Sequence, residues 1–390
     1  MSRAGEVAGA FGDVGVFLPL AIGLIAVNGL DATALFGLAG VYYVVSGLLY
    51  RLPVPVQPFK AVSAIAMAQS LSAGTIHAAA LVIGSTLLVL SFGRLPALIE
   101  RVFAIPVIRG IQLGLGALLL STGLTLAERD PRLGAIEWAP AVALICGLLV
   151  VAALQRQHRV PALFPIAAAG VAWGAATLSA GVAELELGPS LAASPLPSSG
   201  ELLTGLVVLA LPQIPLTIGN SVVATSDVAR AYFGARAARL RPAMLLRDMG
   251  IANLLTGLAG GMPMCHGAGG MTAHVRFGAR TALAPLTIGV VYLAAAIGLG
   301  RAVPVLVDLF PSSILGVLVG YVGWQHLLLA RSVRRLEDRI VVAGIGILTV
   351  VTGSLALGCA AGLGAYWLVR LTRRDGAVAT RRVAIGTDGG

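Results

Sequence analysis

Apolar runs close to the roughly 20 residues that cross a bilayer core recur along the whole chain, separated by short polar stretches. Fourteen such segments can be read, near residues 7–28, 32–50, 56–72, 76–92, 104–125, 138–155, 160–182, 201–222, 245–260, 263–275, 281–300, 303–329, 340–356 and 357–371. The third, ninth and tenth are short and interrupted by Gly or Pro. The pattern predicts an all-α polytopic membrane protein.

The polar stretches alternate in charge. One set carries Arg51; Arg94 and Arg101; Arg156 and Arg159; Arg230, Arg236, Arg239, Arg241 and Arg247; Arg276 and Arg280; and Arg331, Arg334, Arg335 and Arg339. The other set carries only Arg129, Arg132 and Arg301, and the stretch around Glu184 and Glu186 has no basic residue. Because basic loops stay cytoplasmic, the first set and both termini are expected inside the cell inner (plasma) membrane. An even number of crossings follows, which agrees with the segment count.

Composition strengthens the membrane reading: 57% of residues are hydrophobic and 11% are charged, against about 25% charged in soluble domains. The net charge of +10 does not form a stripe with interleaved aromatics, so a nucleic-acid partner is not expected. Cys146, Cys265 and Cys359 have unrelated spacings and give neither a disulfide framework nor a metal signature. No cleavable signal peptide is read at the start. The tail after the last apolar segment, residues 372–390, is too short for a regulatory domain.

An internal repeat underlies the pattern. Pro55-Val56-Gln57-Pro58 lies 208 residues before Pro263-Met264-Cys265-His266, and the same offset pairs Pro96 with Pro304 and Glu100 with Asp308. Leu18-Pro19-Leu20 matches Ile214-Pro215-Leu216 at an offset of 196, the difference falling in the long basic stretch from Ala229 to Arg247. Seven segments per half is odd, so the second half is inverted relative to the first. The expected division is 1–182 for the first repeat, 183–200 for an extracytoplasmic connector, 201–371 for the second repeat and 372–390 for the tail. Such inverted repeats place a substrate site near the midplane, where short, broken helices meet.

The candidate chemistry gathers at those breaks. Val54-Pro55-Val56-Gln57-Pro58 favours extended backbone, and Pro58 suits the first turn of a half-helix starting inside the membrane. Its free N–H groups and positive dipole end would favour an anion. In the tenth segment, Gly260-Gly261-Met262-Pro263-Met264-Cys265-His266-Gly267-Ala268-Gly269-Gly270 lets backbone N–H groups approach a ligand closely. Two such amino termini facing one another make an anion site.

Lys60 is the single Lys among 27 basic residues, and it lies inside an apolar segment. Such an intramembrane charge costs about 2.5–3.5 kcal/mol on insertion scales and usually faces a functional cavity. Asp13 is placed to carry a coupling proton, to pair with Lys60 or to cap a helix. Gln213 and Asn220 flank a break in the eighth segment, as oxyanion donors or as partners for freed backbone groups. His266 is a second proton-linked candidate. A Cys265–His266 metal site lacks a partner set, so neither metal nor cofactor is expected.

The strings Phe11-Gly12-Asp13-Val14-Gly15, Pro55-Val56-Gln57-Pro58-Phe59-Lys60, Pro212-Gln213-Ile214-Pro215-Leu216-Thr217-Ile218-Gly219-Asn220-Ser221 and residues 260–270 together resemble the molybdate transporter family, a branch related to sulfate permeases. Arg276-Phe277-Gly278-Ala279-Arg280 continues the pattern. The resemblance covers nearly the whole chain. It implies a seven-plus-seven inverted-repeat fold, in which core segments 1–4 and 8–11 move against gate segments 5–7 and 12–14. It also implies high-affinity uptake of molybdate, with sulfate as a further candidate. By position it points to Gln57, Phe59, Lys60, His266, Gly267, Ala268 and Gly269 as anion contacts.

The expected activity is therefore secondary active import of an oxyanion by alternating access, with symport of a coupling ion and no enzymatic step. A homodimer in the lipid bilayer is one expected assembly. A sulfate transporter and a proton-coupled nucleobase symporter are the alternatives. The symporter would be expected to offer carboxylates in segments 8 and 10, where this chain has Gln213 and Asn220 and no acid.

Overall fold

The computed structural model describes residues 3–92, 104–134, 136–156, 186–190 and 195–368, short pieces between 165 and 173, and residue 370. Most of the seventh segment, Arg94, Pro96, Glu100, Arg101, Arg159, Glu184 and the 372–390 tail lie outside the described residues.

The first half contains α1 (Arg3–Ala10), α2 (Val14–Asn28), α3 (Ala32–Tyr50), β1 (Gln57–Pro58), α4 (Lys60–Ala68), α5 (Ala73–Leu90), α6 (Ile105–Glu128) and α7 (Ala139–Arg156). The second contains α8 (Ser199–Thr204), α9 (Leu211–Leu216), α10 (Thr225–Phe233), α11 (Pro242–Leu258), β2 (Met264–Cys265), α12 (Ala268–Arg276), α13 (Leu283–Leu299), α14 (Ala302–Leu309), α15 (Ser312–Leu329), α16 (Leu336–Thr352) and α17 (Leu355–Leu368). Among the described residues, six helical spans are long and apolar enough to cross a membrane.

The packing obeys a two-fold relation between the halves. Segment 2 (α3) packs on segment 11 (α13), and segment 4 (α5) packs on segment 9 (α11). Replacing each segment by its counterpart seven places on converts one pair into the other. Segments 5 and 12 (α6 and α15) are counterparts and pack on each other. The two equivalent crossings are both made by glycine. A Cβ on Gly40 would sit 2.8 Å from the Gly289 carbonyl oxygen, and one on Gly84 would sit 3.0 Å from that of Gly250. Small residues let membrane helices meet backbone to backbone in this way.

Several segments differ from the sequence expectation. The eighth is not broken: helix runs continuously from Ser199 to Phe233, through π-helical stretches at Gly205–Ala210 and Thr217–Ala224. Pro212 and Pro215 cannot donate to the helical ladder and crowd the preceding turn, and the wider π turns on either side relieve that crowding. The ninth is an uninterrupted helix whose glycines serve packing. The twelfth, read as one run, divides at Phe310–Pro311, where extended backbone before and at the proline separates α14 from α15.

Pro311 has no side-chain oxygen to cap α15, and Asp130 does so from the end of the α6 loop. Its Oδ2 accepts from the Ser313 N–H at 3.0 Å and the Ser313 hydroxyl at 2.5 Å, while Oδ1 accepts from the Arg132 N–H at 3.1 Å. Burial alone would raise the Asp130 carboxyl, but the hydrogen bonds from Ser313 and Arg132 outweigh it and hold the group below its ordinary value. Asp130→Ala is expected to cost about 1–2 kcal/mol, as loss of a helix cap does. It should read out as a lower melting temperature in detergent. Because the folded value is depressed, the carboxylate's contribution is complete above the unfolded carboxylate range and fades as pH falls through the folded value. The melting difference between wild type and variant should therefore shrink in acid.

Candidate functional site

The two halves meet where their extended pieces cross. β1 and β2 pair antiparallel, Gln57 with Cys265 and Pro58 with Met264, so the central residues of the repeat face their own counterparts or near neighbours. The Phe59 N–H adds a bond to the Pro263 carbonyl at 3.0 Å. Asn253 of α11 braces the crossing, accepting from the Met264 N–H at 2.8 Å and donating to the Met264 carbonyl at 2.7 Å.

Helix α4 starts at this crossing. Phe59 is its fully buried N-cap, in extended conformation, and Lys60 is its first residue. Pro58 lies in the strand and not in the first helical turn, because that turn begins only after Phe59 has bonded across the crossing. The expected free N–H groups are partly taken: Gln213 Oε1 accepts from Ala61 N–H at 2.9 Å and from Val62 N–H at 3.4 Å. Gln213 is thus a cap supplied by the eighth segment. The same amide donates to the Thr217 hydroxyl at 3.0 Å.

Helix α12 starts at Gly267, but its first turn faces a different partner. A Cβ on Gly270 would lie 2.7 Å from both Asp13 Oδ2 and Gln57 Nε2. Gln57 Nε2 donates to Asp13 Oδ1 at 2.5 Å. Asp13 sits in a short 3₁₀ turn, Phe11–Asp13, that pinches the first segment, and it neither caps α2 nor forms an ion pair with Lys60. The carboxylate lies at the positive end of α12, where the helix dipole favours it. Ala268 is buried beside this turn, and Gly269 is exposed with open space next to it.

His266 is held by a network on its other side. Its Nδ1 lies 2.7 Å from the Pro55 carbonyl oxygen, which only accepts, so Nδ1 carries a proton. Nε2 lies 3.1 and 3.2 Å from the two oxygens of Asp248 and 3.0 Å from the Tyr42 hydroxyl. Tyr42 donates to Asp248 Oδ1 at 2.5 Å, and Tyr50 donates to Oδ2. A proton must also lie between Nε2 and the carboxylate, which otherwise would oppose lone pair to lone pair. The network ties α3, α11 and both extended pieces together.

The cavity lies beside these elements. Lys60, Gln112, Gln213, Asn220, Ser221 and His326 supply its polar wall, and Leu115, Leu216 and Cys265 complete the lining. Traced by the centres of water molecules it measures about 20 Å³, where about 10–15 Å³ holds one water. It is lined from two sides: Lys60, Gln213, Asn220, Ser221 and Cys265 come from segments 3, 8 and 10, and Gln112 on α6 and His326 on α15 come from segments 5 and 12. No carboxylate lines it. Lys60 makes no hydrogen bond or ion pair among the described residues. Arg109, one turn before Gln112, donates to Gln112 Oε1 at 2.8 Å, and its Nε is buried without a partner. This arrangement offers cationic and neutral donors to a compact ligand.

A family model described as "Molybdate transporter of MFS superfamily" matches residues 5–119 and 205–325, which contain every residue of the crossing and most of the cavity. The chain belongs to this molybdate transporter family. It is 27% identical to "Molybdate transporter 2" of Arabidopsis thaliana over 95% of this chain and 88% of that one. It is 28% identical to "Molybdate transporter 1" of Chlamydomonas reinhardtii over 84% of each. Among solved structures it is similar to the transmembrane domain of the cyanobacterial bicarbonate transporter BicA, with a TM-score of 0.65 at 18% identity, covering 91% of this chain and 97% of that one. It is also similar to SLC26A9, with a TM-score of 0.65 at 14% identity, covering 95% of this chain and 65% of that one. The fold is the seven-plus-seven inverted repeat shared with these transporters.

Of the residues singled out in sequence, the structure brings Lys60, Gln213 and Asn220 to the cavity of this family member. It places Gln57, Phe59, His266, Gly267, Ala268 and Gly269 around the crossing behind that cavity. Sequence reasoning missed Gln112, Ser221, His326, Arg109 and Asp248. A signal was present for each: all are polar or ionisable residues inside apolar helices, and such residues usually face a bundle interior or a cavity.

Proposed function

We propose that the protein is a secondary active transporter that imports molybdate through the plasma membrane, with both termini cytoplasmic. The cavity carries the reading: it lies between core and gate, presents Lys60 and the Arg109–Gln112 pair, and has no carboxylate in its lining. The family and its named relatives supply the substrate class. A tetrahedral oxyanion would take donors from Lys60, the side-chain amides and Ser221, and would compete with Gln213 for the Ala61 and Val62 N–H groups. Hydrogen bonds to a charged group are roughly twice as strong as neutral ones, which offsets lost hydration.

Core-against-gate motion then exposes the site alternately, each of the two bundles drawing segments from both repeats, residues 1–182 and 201–371. An inside-negative potential opposes each negative charge by about 2.3 kcal/mol per 100 mV, so import of a dianion calls for a coupling cation. A sulfate transporter is the second reading, supported by the shared shape and charge of the two anions. A nucleobase symporter finds no carboxylate in this lining to meet the base ring.

The test is uptake of labelled molybdate by the full-length protein in liposomes under an inside-negative potential. Saturable uptake, competed by unlabelled molybdate and untouched by uracil, is the expected result. Excess sulfate and a protonophore separate the substrate and coupling alternatives. Absence of anion uptake, or competition by uracil, would remove the proposal.

A further inference from the structure

Building on the anion-transport reading, we infer that His326, facing the cavity from the gate, takes up the proton that accompanies the anion.

The argument begins with the tautomer. His326 Nδ1 lies 2.8 Å from the carbonyl oxygen of Val322, one turn earlier on α15. A carbonyl oxygen only accepts, so Nδ1 bears the hydrogen and the neutral ring has its lone pair on Nε2. Nε2 makes no hydrogen bond among the described residues and is not sealed from solvent, although the residue as a whole is buried. The residue lines the same cavity as Lys60.

Neutral His326 therefore turns an acceptor towards a space otherwise suited to an anion. An oxyanion has only acceptors to offer, so lone pair would meet lone pair. Protonation at Nε2 converts that conflict into a charge-assisted donor beside Lys60. Anion and proton thus favour one another, and by linkage each must raise the affinity of the other by the same factor. One added proton reduces the charge carried inward with a dianion from two to one, and no other chemical change is needed.

The groups facing His326 across the cavity are Lys60 of α4, Cys265 of β2 and, through Gln112, Arg109 of α6. Helix α2 packs against α15 and contributes no charged residue, and Cys146 of α7 is exposed. With the cavity empty, the cations oppose a proton on His326; a bound anion reverses that balance. The two acid–base candidates named from sequence are differently engaged. Asp13 lies beyond Lys60 and Cys265 at the start of α12, its Oδ1 accepting from Gln57 and its Oδ2 buried without a hydrogen bond among the described residues, and both ring nitrogens of His266 are occupied by Pro55, Tyr42 and Asp248. His326 also sits on the gate while Lys60 sits on the core, so the protonated site spans the interface that alternating access must open and close.

The experiment is calorimetric binding of sodium molybdate to the purified full-length protein in two buffers of different ionisation enthalpy, between pH 8 and 6. Wild type is expected to take up close to one proton per anion where coupling is complete. Its affinity should rise by up to about ten-fold for each unit of falling pH there. His326→Gln places an amide donor near Nε2 at every pH, so binding should become pH-independent with no proton uptake. If H326Q keeps the wild-type proton uptake, the proton resides elsewhere and the inference falls. If wild type binds molybdate with no proton uptake, the inference falls while the anion reading stands. If no oxyanion binds at any pH, the anion reading itself falls. Should H326Q fail to fold, the same two-buffer comparison on H326N decides in its place, retention of proton uptake counting against His326 and loss for it.

Discussion

Lys60→Gln is expected to raise the KM for molybdate uptake by roughly 10- to 100-fold, the range set by losing a charge-assisted hydrogen bond of about 1.5–3 kcal/mol. The side chain lines the cavity and makes no hydrogen bond or ion pair among the described residues, so its ammonium is available to an anionic ligand. The residue also begins α4, which places the side-chain charge and the positive helix end in the same corner. Glutamine keeps a donor, one bond short of the ammonium, while removing the charge, so the measurement reads chiefly the charge. Lys60→Arg is expected to recover only part of the loss, because a planar five-donor fork does not reproduce a compact ammonium.

Since no hydrogen bond or close ion pair among the described residues is abandoned, the melting temperature of K60Q in detergent should stay close to that of wild type. Initial-rate kinetics in liposomes, paired with that melt, give the answer. An unchanged KM with full folding would take Lys60 out of the anion site.

Much of this architecture was legible in the chain because lipid imposes few solutions. Apolar runs of bilayer length, alternating arginine-rich loops and the 208-residue offset between the two proline motifs lead to the inverted repeat. The extended piece at Val54–Pro58 was legible because Pro55 and Pro58 disfavour helix, but its pairing with Met264–Cys265 was not. Packing partners were not. Gln213 reads equally well as an anion donor and as a cap, and only the position of Ala61 and Val62 shows which task it performs here. The prolines at 212 and 215 read as a break, yet π turns absorb them within a continuous helix. Tyr42 and Tyr50, on one helix, lie about 200 residues from Asp248 and His266, and no periodicity announces that these pairs converge. Gln112 and His326 sit on α6 and α15, outside the repeat motifs, so only their polarity inside apolar helices marks them.

That convergence makes Asp248→Ala the variant expected to destabilise most. Its carboxylate accepts from Tyr42 and Tyr50 and faces His266 Nε2 at 3.1 Å, and its side chain is 10% exposed. Truncation leaves two hydroxyls and an imidazole without their shared acceptor. Removing one partner of a buried charged pair typically costs about 3–5 kcal/mol, because the remaining groups stay desolvated. The loss should exceed that of Asp130→Ala, whose carboxylate caps only the start of α15. It should also reach function, since His266 Nδ1 bonds the Pro55 carbonyl and so couples the network to the extended pieces that set the start of α4. A lower melting temperature together with depressed uptake is the expected pair of results.

A double-mutant cycle separates this network from general damage. If Asp248 and His266 act as one unit, the loss in D248A/H266A should be well below the sum of the two single losses, because neighbours in one network are not additive. Additive losses, or a D248A protein that melts with wild type, would show that the crossing is held without them.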